Sequence, residues 1–295
     1  PKDDTWPPLP GLKSDTKVVR VVCNPLTGGE LLPLPEEDPN TGDTGGTWRF
    51  VKPGFLTQAD RGDGPPDRYA VAEIRGEDSI MHRFLSETGR WDATPGFSSA
   101  IPAARPAITA DHPVVSFGGR MWWIDLGWGA VSVDPCAAEP DFRFVELPSG
   151  SVLPAADAIS VERRRLQEAP LSRYRRVGVS EGRLRYVEVS EASPFVLSCF
   201  TLDDEGGSGW TLEHRVALGR LWSEPLQETP RIGALDPLKA SVVYLMIGED
   251  GRHVVGVDLE KGVMIGSCLL EHPTGLTPCV LPPWLETSRI PSTGV

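Results

Sequence analysis

Apolar residues occur in this chain as short bursts, and that feature constrains its fold more than any other. Runs of four to eight residues at 18–23 (VVRVVC), 69–74 (YAVAEI), 114–117 (VVSF), 121–126 (MWWIDL), 130–133 (AVSV) and 142–147 (FRFVEL) are β-branched and aromatic. Others follow at 176–179 (RVGV), 183–189 (RLRYVEV), 195–202 (FVLSCFTL), 241–247 (SVVYLMI), 253–259 (HVVGVDL) and 263–270 (VMIGSCLL). They suit strands and are too short for ordinary helices. The 31 Gly and 29 Pro, spread through 295 residues without a fixed period, break long helices and supply turns. The chain is therefore expected to be all-β. Its best helix candidate is 155–169 (AADAISVERRRLQEA), although the apolar spacing there is poor.

Part of the chain repeats. Gly119-Arg120-Met121-Trp122-Trp123-Ile124-Asp125-Leu126 matches Gly182-Arg183-Leu184-Arg185-Tyr186-Val187-Glu188-Val189 position by position, and Gly251 to Leu259 is a looser copy one residue longer. Each copy follows an apolar strand through a tight polar turn and is followed by another strand, which is the pattern of antiparallel hairpins chained into meanders. In 121–126, Trp122, Ile124 and Leu126 point one way and Met121 and Trp123 the other, so both faces of that strand need cover. Meanders with two faces to bury pack against one another, and radial packing into blades is a common outcome. Strand groups near 18, 69, 114, 176 and 241 predict a β-propeller-like array of about five to six blades. The stretches 151–171 and 219–240 are expected to be inserted loops or partial blades. The N-terminal strand is expected to pair beside the last meander and so close the array.

Residues 17–285 form one domain in this reading, with tails at 1–16 and 286–295 rich in Pro, Ser, Thr and charge and a polar loop at 35–47. The chain opens on Pro1 rather than Met, which leaves room for a segment upstream. The net charge of −12 with scattered basic residues gives no electrostatic footprint for nucleic acid. No apolar run reaches the roughly 18 residues of a membrane span, so a membrane partner is not expected either. Cys23, Cys136, Cys199, Cys268 and Cys279 are odd in number and far apart, and neither Asn24 nor Asn40 opens a glycosylation sequon. A reducing compartment follows, cytoplasmic or nuclear.

The segment 21–35 (VVCNPLTGGELLPLP) resembles the N-P-x-T…L-P signature of plant F-box-associated and kelch-type propellers. The set 118–135 (GGRMWWIDLGWGAVSVDP), 145–154 (VELPSGSVLP), 175–190 (RRVGVSEGRLRYVEVS), 210–218 (WTLEHRVAL) and 278–286 (PCVLPPWLE) closely resembles the grass-expanded plant family known as domain of unknown function 1618. The resemblance extends over about 18–290. It implies a plant intracellular protein with a propeller-like fold and supplies no catalytic residue. F-box helices that would mark a ubiquitin-ligase adaptor are not in this sequence.

Gly178-Val179-Ser180-Glu181-Gly182 spells the G-x-S-x-G of a nucleophile elbow, which requires a helix after the serine; a strand is expected there instead. His82, His112, His214, His253 and His272 show no spacing that preorganises a metal site, and Asp111-His112 and Glu213-His214 put their side chains on opposite faces if they lie in strands. Arg61-Gly62-Asp63 is read as a loop without an adhesion role. No cofactor is expected. Two features suit a binding surface: Trp128 in a Gly-Trp-Gly turn, unless its ring folds back onto its own blade, and Arg163, Arg164 and Arg165 in the 151–171 loop, a basic cluster that is either a solvated, salt-bridged turn or able to take an acidic peptide. The expected function is a non-catalytic module that recognises an unidentified protein through propeller loops. The alternative is a propeller enzyme with a metal-assisted hydrolase-type site, in which Asp125, Glu188 and Asp258, at matching repeat positions, converge on a cation in the channel; the same positions suit acids that end strands and bind backbone or arginine. A third reading makes the chain a structural remnant of a larger multidomain protein.

Overall fold

The computed structural model describes residues 19–27, 31–36, 52–60, 64–75, 80–102, 108, 112–154, 171–203, 209–222, 226, 228–248, 250–272 and 275–291. The helix expected at 155–169, the Arg61–Asp63 tripeptide, the 1–16 tail and most of the 35–47 loop lie outside those residues.

Among the described residues four sheets have four antiparallel strands each, laid down in chain order. The first is β3 (Gly54–Gln58), β4 (Arg68–Arg75), β5 (Ile80–Leu85) and β6 (Arg90–Pro95); the numbering leaves β1 (Val21–Cys23) and β2 (Leu31–Pro33) for a two-stranded hairpin ahead of it. The second is β7 (Val115–Phe117), β8 (Arg120–Asp125), β9 (Gly129–Val133) and β10 (Arg143–Glu146). The third is β11 (Arg175–Ser180), β12 (Arg183–Val189), β13 (Val196–Leu202) and β14 (Trp210–Ala217), preceded by the short helix α1 (Leu171–Tyr174). The fourth is β15 (Arg231–Leu235), β16 (Val242–Ile247), β17 (His253–Asp258) and β18 (Val263–Leu269).

The first strand of each sheet is the inner one: β3 lies against β7 and β8, β7 against β11, and β11 against β15. Three apolar layers fill the seams. Met81, Met121, Trp123, Trp128 and Val131 pack between the first and second sheets, and Trp122, Ile124, Leu126, Val177, Leu184 and Tyr186 between the second and third. Val187, Leu197, Cys199, Ile232, Val243, Leu245 and Val257 join the third to the fourth. The alternation in β8 is the one the sequence predicts, with Met121 and Trp123 in one seam and Trp122, Ile124 and Leu126 in the next. A strand that is apolar on both faces needs cover on both, and here two other sheets supply it, which places the chain in the propeller-like class.

Turn chemistry fixes the hairpins. Gly118 and Gly119 link β7 to β8 with φ of 60° and 70°, the two left-handed residues of a turn whose twist matches the strands it joins. Glu181 (φ 48°) and Gly182 (φ 67°) do the same between β11 and β12, where the Glu181 N–H donates to Pro237 O at 3.0 Å and so holds a non-glycine residue in that conformation. Gly119→Ala is expected to cost about 1–2 kcal/mol, read as a lower urea midpoint with an unchanged slope.

One expectation, the pairing of the N-terminal strand, differs from the structure, and the three repeat copies are out of step in their sheets. The third repeat copy lies on β17, the third strand of its sheet, whereas the other copies lie on β8 and β12, the second strands. The unrecognised strand β15, with the sequence RIGAL, takes the inner place and moves every later strand outward by one. The N-terminal strand also pairs elsewhere: Val21, Val22 and Cys23 face Pro33, Leu32 and Leu31, not the fourth sheet. This hairpin seats on the first sheet, where Leu34 packs with Tyr69, Val71 and Phe84 and where Arg20 reaches the buried Glu73 at 2.8 Å and lies over Trp91. A C-terminal strap reaches the same place. The Arg176 guanidinium holds Leu276 O at 3.1 Å, and the Asn24 amide holds Leu285 O at 2.7 Å and Ser288 O at 3.1 Å.

Candidate interaction face

The inner strands share one direction. At the ends of β11 and β15, the Ser180 hydroxyl donates to Asp236 O and Glu181 N–H to Pro237 O, so these two strands finish side by side. The opposite face, where inner strands begin, collects the β8–β9 turn, the β12–β13 turn and the segments leading into β11 and β15. Arg175, the first residue of β11, binds this face together. Its guanidinium donates to Leu126 O and Ser151 O, both at 2.7 Å, and so lashes the β8–β9 turn and the 151–154 loop to the third sheet. Glu188 Oε2 lies 4.0 Å from the Arg175 guanidinium and accepts from the Tyr186 hydroxyl at 2.8 Å. Burial, reinforced by the Glu188 carboxylate, raises the Tyr186 phenol well above its ordinary range, so it remains a neutral donor.

Beside this lashing lies an open cleft of about 450 Å³ lined by Arg173, Tyr174, Glu191, Phe195, Glu228, Thr229 and Arg231. Its volume is within the roughly 300–1,000 Å³ of ligand-sized clefts. Each wall comes from the entry to an inner strand or from a turn on the same face: α1 gives Arg173 and Tyr174, the β12–β13 turn gives Glu191 and Phe195, and the approach to β15 gives Glu228, Thr229 and Arg231. Thr229 Oγ1 donates to Glu191 O at 3.3 Å, joining two of the walls. Phe195 is buried with φ at 54°, a conformation uncommon for an aromatic residue. Its N–H donates to Ala192 O at 2.9 Å and its carbonyl accepts from Leu218 N–H at 3.0 Å, which hold it there.

The residues singled out from sequence are dispersed. Trp128 is 2% exposed: the Asp125 carboxylate accepts from Gly127 N–H at 2.8 Å and from the indole N–H at 2.6 Å, which turns the ring inward onto Phe144, 4.7 Å away between centroids. It presents no ring to solvent. Arg163, Arg164 and Arg165 lie outside the described residues. The three repeat acids do not converge, because Asp125 and Glu188 end second strands on the face with Arg175 while Asp258 ends a third strand on the opposite face. There the Lys239 ammonium bonds Asp258 at 2.8 Å and is the chief cause holding its carboxyl at about 2. Among the described residues no three His, Cys, Asp or Glu side chains are grouped as a metal would require.

The other motifs have structural partners. Ser180 ends β11 and β12 follows it directly, so the G-x-S-x-G segment is a hairpin. His112 is buried in the seam between the second and third sheets, its Nδ1–H donating to Pro113 O at 2.7 Å and its Nε2 accepting from Val177 N–H at 3.3 Å. Glu213 pairs with the buried Arg185, which also donates to Thr201 Oγ1 at 2.6 Å. Burial is the leading cause that raises both Cys136 and Cys199 to about 11, so neither is a thiolate at neutral pH.

Sheets in series, inner strand first, with turns gathered on two faces, define a β-propeller-like protein. Residues 123–255 match the family model described as protein of unknown function (DUF1618), a little under half of the chain. No curated protein matches. Among solved structures, a chain of the mitotic checkpoint complex aligns over 82% of this chain and 56% of its own at 9% identity and a TM-score of 0.39. AztD from Citrobacter koseri aligns over 72% and 45% at 12% identity and 0.32. The β-propeller domain of Cps50 (Swd1) from Myceliophteria thermophila aligns over 69% and 70% at 8% identity and 0.31. The chain thus spans about half the length of the first two.

The cleft residues were not legible as a site. Arg173 and Tyr174 stand directly before a recognised strand, and in a propeller such positions line a face; that position is the one signal the sequence offers for them. Glu228, Thr229 and Arg231 carry no such signal, because the strand they introduce was not recognised.

Proposed function

We propose that the chain is a non-catalytic protein-interaction module that takes a charged segment of a partner protein in the cleft between the third and fourth sheets. One observation carries this: Arg173, Tyr174, Glu191, Phe195, Glu228, Thr229 and Arg231, far apart in sequence, line one open cleft on one face. The strands behind the cleft are rigid and share seams with their neighbours, which is the arrangement by which loops on a fixed scaffold become recognition surfaces. A plant origin with kinship to F-box-associated or kelch-type propellers, and a cytoplasmic or nuclear place, complete the proposal. The motifs at 21–35 and 118–135 and the absence of a glycosylation sequon support them. The test is affinity capture from plant tissue with mass spectrometry, comparing the intact chain with Arg173→Glu. The expected result is a reproducible partner lost from the variant while its thermal melt is unchanged; a partner retained at equal recovery removes the cleft from the account.

A further inference from the structure

Apolar layers join the first sheet to the second, the second to the third and the third to the fourth. Among the described residues, the link from the fourth sheet back to the first is of another kind: the C-terminal strap, 275–291, which contains no strand. Its first anchor lies on the inner strands. The Arg176 guanidinium of β11 donates to Leu276 O at 3.1 Å and to Gly233 O of β15, and the Leu276 side chain fills the space where a Cβ on Gly233 would come within 2.8 Å of it. Its second anchor lies on the hairpin that seats on the first sheet. There the buried Asn24 amide donates to Leu285 O at 2.7 Å and to Ser288 O at 3.1 Å, while its oxygen accepts from Leu26 N–H at 3.0 Å. Ile290 packs beside it with Tyr69, Val71 and Phe84.

Between its anchors the strap is bare, with Val280 54% exposed and Leu281 49%. Pro278, Pro282 and Pro283 have no N–H to give to a ladder, so this stretch crosses as a tether and does not add to either sheet. From Leu276 to Leu285 it reaches at most about 30 Å, a few times the roughly 10 Å between packed sheets. We infer that the strap is a clasp: its two anchors, in place of an apolar seam, close the array between the fourth and first sheets, and severing it opens the array there while the three seams hold. A few hydrogen bonds contribute little net stability beside a buried apolar layer, which makes this the weakest joint of the array. The first anchor also braces the cleft, because Arg176 and Gly233 follow closely on Tyr174 and Arg231 in its two walls. The clasp does not depend on what the cleft takes.

Distances between spin labels on the full chain test it, in a background of Cys23→Ser, Cys268→Ser and Cys279→Ser, which removes the exposed cysteines. Labels at Arg90→Cys and Glu260→Cys span the first and fourth sheets, and a control pair at Arg143→Cys and Arg183→Cys spans the second and third. A protease site inserted between Val280 and Leu281 allows the strap to be cut after the chain has folded. Before the cut, each pair gives one narrow distance. Cutting lengthens and broadens the distance between positions 90 and 260 and leaves the control pair as it was, and Asn24→Ala, at the second anchor, shifts the same pair in the same direction. A narrow distance between 90 and 260 that survives the cut would show that the two sheets hold each other directly, and it overturns the proposal. Equal broadening of both pairs overturns it as well, because the strap would then support the whole fold and not one joint.

Discussion

Trp128→Ala is expected to lower the unfolding free energy by about 3–5 kcal/mol, the range for truncating a buried aromatic side chain. The indole is enclosed in the seam between the first and second sheets, stacks on Phe144, and gives its N–H to Asp125. Truncation leaves a cavity and strips that carboxylate of one of its donors, so the loss exceeds simple transfer of the ring to water. Urea unfolding followed by tryptophan fluorescence and circular dichroism measures it. A loss of less than 1 kcal/mol would mean that the ring stands in solvent, the other orientation open to an aromatic in the Gly127-Trp128-Gly129 turn.

Acid is expected to weaken the protein through His112. Burial, ahead of the Arg176 and Lys52 charges and against the Pro113 hydrogen bond, lowers this imidazole from 6.5 to about 4. Its Nε2 accepts a peptide N–H in the fold, and a proton there would set donor against donor. Between the two values the unfolded chain binds the proton and the folded chain does not, so the contribution is fully present above about pH 6.5 and lost as pH falls towards 4. A shift of this size corresponds to about 3 kcal/mol. Denaturant unfolding at steps between pH 7 and pH 4 reads the loss, and His112→Gln should flatten the dependence. Equal slopes in both proteins would place the acid sensitivity at other groups.

How far the sequence foretells this architecture depends on what each strand buries. β8 and β12 were recognisable because both of their faces meet apolar seams: β8 is apolar from Met121 to Ile124, and β12 keeps Leu184, Tyr186, Val187 and Val189 although Arg185 and Glu188 interrupt it. The first sheet was nearly silent outside β4. β5 includes His82 and Arg83, both buried; Arg83 is compensated by Asp92 at 2.7 Å and by the carbonyls of Pro135 and Ala137, partners no pattern in β5 announces. β6 is polar because it is a rim strand. β15 was lost for a different reason. Its centre is Gly233, where a Cβ would come within 2.8 Å of Leu276 and 3.1 Å of Tyr244 O, so close packing dictates the residue that makes the strand look like a loop.

The candidate face was less legible than the fold. Asp125 and Glu188, matched in the repeat, suit either cation ligands or strand-end acids that bind backbone or arginine, and they are the second: Asp125 closes the Trp128 turn, and Glu188 receives the Tyr186 hydroxyl and lies 4.0 Å from the Arg175 guanidinium. Asp258 matched in spelling alone, since its strand occupies another place in its sheet. The cleft has no local signature, because its walls converge only when the third and fourth sheets are packed together.

Hydrogen exchange on the chain with and without its captured partner tests the central claim most directly. The account predicts protection confined to the cleft walls at Arg173–Tyr174, Glu191–Phe195 and Glu228–Arg231, with the peptides of β6, β10 and β14 unchanged. Protection on those outer strands, with the cleft walls exchanging as in the free chain, would contradict it.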